Sequence, residues 1–293
     1  MTKWRREAPV SEHDTAASSI PGQGVTGSLT TSCGVVHYRG IGSGEPVVFL
    51  HDFATDHHSF DSIKSRLVSK RHILTLDLLG HGKSEKRTPD LSIAAQGHAV
   101  LEVLRDLRLG KAVLVGHSLG GSVAIHVAAM APPAVSKVVL LSAGSYDYQA
   151  SPLGYLLRSR LLWATLGIFG GPDRTRKVRD SLSLSARPLT GTSGGPDTSL
   201  PTDAASWNAL GRAYRQSTSH AALAEMEALV EHSLQHPALV IWGSENTLLR
   251  PASARLRFRD QRNVKFIEVS GAAHAVHEDQ PEAVTDLLLD FLD

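Results

Sequence analysis

Ser118 stands in Gly116-His117-Ser118-Leu119-Gly120, directly after the apolar run Val113-Leu114-Val115 and before a helical stripe of Val123, Ala124, Val127 and Ala128. A serine between a buried strand and a helix sits on a sharp turn that lifts its hydroxyl clear of the sheet. A hydroxyl is a weak nucleophile at neutral pH and needs a base, with a third group to orient that base. His274 is the candidate base among 15 histidines. It lies in Gly271-Ala272-Ala273-His274, between an alternating run, Val264 to Val269, and a helical pattern, Pro281 to Leu292. Loops that follow the C-terminal ends of parallel strands converge on one site, which would bring His274 to Ser118.

The elements that must carry these residues are legible as apolar runs at Val47–Leu50, Ile73–Leu76, Ala112–Val115, Val138–Leu141 and Ala238–Ile241. Continuous apolar runs suit parallel strands covered on both faces. The alternating Val264–Val269 run suits an edge strand. Helical patterns around Phe60–Leu67 and Val100–Leu107 separate several of the runs, so the expected fold class is α/β, a doubly wound, mostly parallel sheet. The alternation stops between about residues 145 and 235. The expected organisation is therefore a flexible tail at 1–25, a core at 26–144 and 236–293, and an inserted helical segment at 145–235.

With these blocks in view, the chain resembles the α/β-hydrolase family from about Gly34 to Leu292. The resemblance rests on Gly34 to Arg39 as an opening strand and Val47 to Phe53 as the oxyanion-loop block. It continues through Asp77-Leu78-Leu79-Gly80-His81-Gly82-Lys83-Ser84, the Gly116 to Gly121 elbow, Ile241-Trp242-Gly243 and the Gly271 to Pro281 histidine block. It implies a serine hydrolase acting on an ester, thioester or related acyl compound. The backbone N–H groups of Phe53 and Leu119 would form the oxyanion hole, and the insert would be a cap over the site. Non-hydrolytic enzymes and ligand receptors also occur on this fold and are the alternatives.

Two positions depart from the family pattern. The family acid belongs three residues after the glycine of the Trp-Gly pair, where this chain has Asn246, with Glu245 beside it. Asp147, after the sixth strand, is a third candidate for orienting His274. The second departure is Asp52, which stands where the family has glycine after His51. Its carboxylate either opposes an oxyanion in the hole, points to solvent, or turns toward His57 and His58. Asp52, His117, Leu157 and Trp163 are pocket candidates, with Leu156, Leu161 and Phe169 as further apolar residues of the insert.

Composition narrows the rest. A net charge of +1 and 42% hydrophobic residues are ordinary for a globular enzyme. No basic block with interleaved aromatics points to nucleic acid, and no apolar stretch approaches a membrane span. Cys33 is the single cysteine, so an intrachain disulfide is impossible. With no secretory pattern at residues 1–25, a cytoplasmic location is expected. No cofactor is expected, and His57-His58 lacks a second cluster at metal-ligand spacing, so no metal is expected either. The expected partner is a small acyl substrate. The Arg174, Arg176, Lys177, Arg179 cluster reads as a solvated helix face or as a landing site for an anionic substrate or acidic carrier protein.

Overall fold

A computed structural model describes residues 24–143, 156–169, 203–232 and 234–293. In chain order the strands are β1 (Val25–Thr31), β2 (Gly34–Ile41), β3 (Glu45–Leu50), β4 (Arg71–Leu76), β5 (Ala112–His117), β6 (Val135–Leu141), β7 (Ala238–Gly243) and β8 (Val264–Val269). They form one eight-stranded sheet ordered β1-β2-β4-β3-β5-β6-β7-β8. The β1–β2 and β2–β4 pairs are antiparallel and every other pair is parallel. The described helices around the sheet are α1 (Asp61–Leu67), α2 (Ile93–Asp106), α3 (Leu119–Met130), α7 (Pro251–Phe258), α8 (Val276–Asp279) and α9 (Pro281–Leu292). Helices α4 (Arg160–Phe169), α5 (Ala204–Ser217) and α6 (His220–His232) fall between β6 and β7.

The strands explain their own continuous hydrophobicity. Successive side chains of a strand point to opposite faces. Thus Val48, Leu50 and Leu114 pack with Val100 and Val103 of α2 and Val123 and Val127 of α3. Their neighbours Val47, Phe49 and Val113 pack with Ile63 and Leu67 of α1 and Val284 and Leu288 of α9. With both faces covered, each buried Val or Leu contributes roughly 1.5–3 kcal/mol. The expected doubly wound α/β sheet is present, and Val264–Val269 is its edge strand. β1 was not among the expected strands. Its sequence, VTGSLTT, carries two apolar residues in seven, and its pairing to β2 is read from the backbone ladder rather than from hydrophobic pattern.

Local chemistry sets where helices begin. The Ser92 side chain accepts from Ala95 N–H at the start of α2, and that of Asp203 accepts from Ser206 N–H at the start of α5. The inserted helices contact the core through an aromatic cluster of Trp163, Trp207 and Tyr214 against Phe53 and Ala54. Leu157 and Trp163 are both buried there, and Trp163 Nε1 donates to Leu157 O at 2.7 Å. Asp147 and the Arg174–Arg179 cluster lie outside the described residues.

Candidate active site

Ser118 lies between β5 and α3, as the N-cap residue of the helix, with φ 49° and ψ −108°, a left-handed conformation that strains a residue bearing a side chain. The strain is sustained because the neighbouring positions have no room for anything but glycine. A Cβ on Gly116 would lie 2.4 Å from Gly120 O, and one on Gly120 would lie 2.0 Å from Leu50 O. The close approach of Gly120 to the end of β3 is what brings Leu119 N–H beside the loop that follows β3. Gly120→Ala is therefore expected to lower the thermal midpoint by roughly 5 °C or more, since overpacking against rigid backbone costs about 1–3 kcal/mol. A midpoint equal to wild type would mean that the elbow relaxes freely.

The loop after β3 supplies the second half of the site. The Asp52 side chain points inward. Its Oδ1 accepts from Phe53 N–H at 2.6 Å and from Leu119 N–H at 3.2 Å, and its Oδ2 lies 3.3 Å from His274 Nε2. Of the three orientations the sequence allowed, the structure adopts the one in the hole, and both donors expected to hold an oxyanion hold this carboxylate instead. Burial pushes the Asp52 pKa up. The hydrogen bond from His274, the proximity of His117 and the contact with Ser118 outweigh it, so the group stays ionised, well below the usual carboxylate range.

His274 is 2% exposed and lies on the loop between β8 and α8. His117 Nε2 donates to the His274 carbonyl at 3.1 Å, and Asp279 accepts from Ala273 N–H at 2.8 Å. Of the candidates for orienting its ring, Asn246 is buried and places Nδ2 3.3 Å from His274 Nδ1, whereas Glu245 is exposed. The amide cannot be turned round without loss. Asn246 Oδ1 accepts from Leu249 N–H at 2.9 Å, and Leu249 O in turn accepts from Trp242 Nε1 at 2.8 Å. The Asn246 NH₂ group therefore faces Nδ1, which must be the lone-pair nitrogen, and the imidazole proton sits on Nε2 and points at Asp52. A serine base needs the opposite tautomer. Asn246 was identifiable from the sequence as a departure, but the Leu249 N–H that fixes its amide was not, because that contact depends on how the turn after β7 closes.

Behind this pair runs a row of buried rings. His117 lies 4.9 Å from His274 and 4.7 Å from His277, and Phe60 stacks on His277 at 5.0 Å. Desolvation by burial lowers His117 to about 4, Asp52 opposing and His274 adding to the effect. It lowers His81 to about 3 and His277 well below its ordinary value. His57 and His58 do not turn toward Asp52. His57 Nδ1 donates to Asp77 Oδ1 at 2.8 Å, and His58 N–H caps onto Asp56 Oδ1 at 2.9 Å, so both brace the turn into α1.

Buried neutral histidines have a stability consequence. In the unfolded chain they ionise near 6.5, so the unfolded state binds more protons at any pH below that value until the folded groups titrate. Stability is thus complete above pH 6.5 and falls as pH drops toward 4 for His117 and toward 3 for His81. Asp52 and Asp77, whose folded pKa values are depressed, contribute stability above about pH 4 and extend the loss below it. The urea midpoint is expected to hold between pH 8 and 7 and to decline from pH 6.5 to 4.5. A midpoint that stays level to pH 4.5 would contradict the burial of neutral rings.

Among the described residues two groups offer ligand atoms within 4.8 Å of one another, Asp52 with His117 and His274, and His37 with His57 and Asp77. Neither donor set suits a cation. The first would need the Nε2 lone pair of His274, where Asn246 and Leu249 place a proton. In the second, His57 Nδ1–H and His57 N–H both bind Asp77 Oδ1, and Lys83 N–H binds Oδ2. Among the described residues no helix is long and apolar enough to cross a membrane.

Comparison with known proteins agrees with the geometry. The sequence profile for the alpha/beta hydrolase fold matches residues 45–281. The chain is 26% identical to the hydrolase YugF of Bacillus subtilis, over 87% of this chain and 92% of that protein. It is 24% identical to 2-(acetamidomethylene)succinate hydrolase of Mesorhizobium japonicum, over 88% of this chain and 91% of that one. A thermophilic esterase from Thermogutta terrifontis superposes with a TM-score of 0.71 at 22% identity, covering 92% of this chain and 98% of the esterase. The family match and these hydrolase-named relatives support a hydrolase-type enzyme at family level. The elbow serine, the loop after β3 and the histidine after β8 thus fall within a matched frame, and the chain belongs to the α/β-hydrolase fold family.

Proposed function

We propose that the protein is an acyl hydrolase that cleaves an ester, thioester or related acyl compound with Ser118 as nucleophile and His274 as base. The observation that carries this reading is the strained elbow, which holds Ser118 at φ 49° beside two backbone N–H groups that already converge on a single oxygen. Ser118 Oγ attacks the carbonyl carbon and its proton passes to His274 Nε2. The carbonyl π electrons move onto oxygen between Phe53 N–H and Leu119 N–H. The leaving group departs with that proton. Water then attacks the acyl-serine, giving up a proton to His274, which passes it to Ser118 Oγ as the acid is released. The scheme uses no cofactor. It requires the imidazole proton to move from Nε2 to Nδ1 and the Asp52 carboxylate to leave the hole. Docking of an acidic carrier protein at Arg174–Arg179 remains part of the proposal.

A second reading is favoured by the same carboxylate. With Asp52 in the hole and Nε2–H as a proton donor, the site suits non-hydrolytic acid–base chemistry. A fluorophosphonate probe separates the two. Phosphonylation of Ser118, located by mass spectrometry and abolished in Ser118→Ala, supports the hydrolase. Absence of labelling in both wild type and Asp52→Gly favours the second reading.

A further inference from the structure

We propose that Asp52 is an intramolecular ligand of the oxyanion hole that makes the site select against anionic acyl ligands and carboxylate products. The geometry is that of a bound carboxylate. One oxygen takes both hole donors, at 2.6 and 3.2 Å, and the other faces the imidazole Nε2 at 3.3 Å. A carboxylic acid released by hydrolysis is itself a carboxylate at neutral pH and would seek the same three contacts. An internal group competes for them at an effective concentration in the millimolar range or above, so an external one binds only if it displaces Asp52.

The surrounding contacts show how the hole can still open. Asp52 O is held by Thr55 Oγ1 at 2.9 Å and Thr55 N–H at 3.4 Å, and it lies 2.7 Å from His51 Nδ1. His51 Nε2 accepts from Leu78 N–H at 2.9 Å, which places the proton on Nδ1 and makes it a donor to Asp52 O. Ala54 completes the turn at φ 59°. With the backbone of the loop held at this carbonyl, release of the carboxylate is a rotation of the Asp52 side chain. Phe53 N–H and Leu119 N–H keep their places when it turns. The hole is therefore complete but occupied, and it accepts an uncharged carbonyl more readily than a carboxylate-bearing substrate, which would meet the charge of Asp52 wherever it rests nearby.

This inference rests on the hydrolase reading only for its effect on turnover, and binding tests it independently. Acetate is titrated against wild type, Asp52→Gly and Asp52→Asn, reading the thermal midpoint and the inhibition of p-nitrophenyl ester cleavage. Asp52→Gly empties the hole. Asp52→Asn keeps the shape without the charge and serves if the glycine variant folds poorly. Acetate is expected to stabilise Asp52→Gly but not wild type, and to inhibit it at about tenfold lower concentration or less. Cleavage of a neutral ester is expected to rise about 100-fold in Asp52→Gly, the scale set by loss of one oxyanion donor elsewhere, with Asp52→Asn between the two. Equal acetate responses in wild type and both variants would overturn the proposal. If acetate discriminates but Ser118 is labelled in no variant, the hole assignment stands and the hydrolase reading fails. If Ser118 is labelled and acetate does not discriminate, the reverse holds.

Discussion

Ser118→Ala is expected to reduce ester turnover by about three or more orders of magnitude while the far-ultraviolet circular dichroism is unchanged. The hydroxyl makes no capping bond to the helix it precedes, so its loss removes the nucleophile without removing a structural contact of α3. His274→Ala is expected to be comparably damaging. The two losses should not add, because nucleophile and base act on one proton and the second deletion removes a partner that has nothing left to do. The double variant decides the point. A further large fall beyond either single variant would show that the residues act independently. Near-wild-type turnover in Ser118→Ala would exclude covalent serine catalysis altogether.

Asn246→Asp is the second large effect, and it depends on the state of the hole. A carboxylate at this position could accept from Leu249 N–H with one oxygen and from His274 Nδ1–H with the other. That would reverse the imidazole tautomer without leaving the Leu249 amide unpaired. In a serine protease the opposite change, Asp to Asn, costs about 10⁴ in kcat through the wrong tautomer, a comparison drawn from that system rather than from this chain. In wild-type background the gain is expected to be about tenfold, since Asp52 still fills the hole and the surroundings are not built for a charge. In the Asp52→Gly background the same substitution is therefore expected to act on an open hole, and the combined gain should reach about 10³. Measuring both singles and the double on one neutral ester tests this. If Asn246→Asp is silent in either background, the base is oriented by a group other than Asn246.

The parts of the molecule legible from sequence are those whose signal is local and redundant. The five buried strands announce themselves because both of their faces are covered, so Val47 to Leu50 and Val113 to Val115 are apolar without interruption. The elbow is legible because strand, glycines and helix are contiguous. β1 carries no such signal, because Thr26, Ser28 and Thr30 interrupt its few apolar residues while its backbone pairs with β2. At the site, position 52 stood out as a residue type out of place, but its direction did not. Whether a carboxylate enters the hole depends on Leu119 N–H, which reaches it from 67 residues further along the chain. The tautomer of His274 was equally out of reach, since it follows from an amide proton at Leu249 that no pattern of side chains records.

Phe53 belongs to two layers of the molecule at once. Its backbone nitrogen donates into the hole, while its ring meets Trp163 at 5.9 Å and Tyr214 at 5.5 Å, both from the inserted helices. A substitution in the insert that spoils the fit around the Phe53 ring would therefore act at a distance, loosening the donor that the same residue's peptide presents. The aromatic joint makes the inserted helices a mechanical support of the loop after β3 as well as its cover.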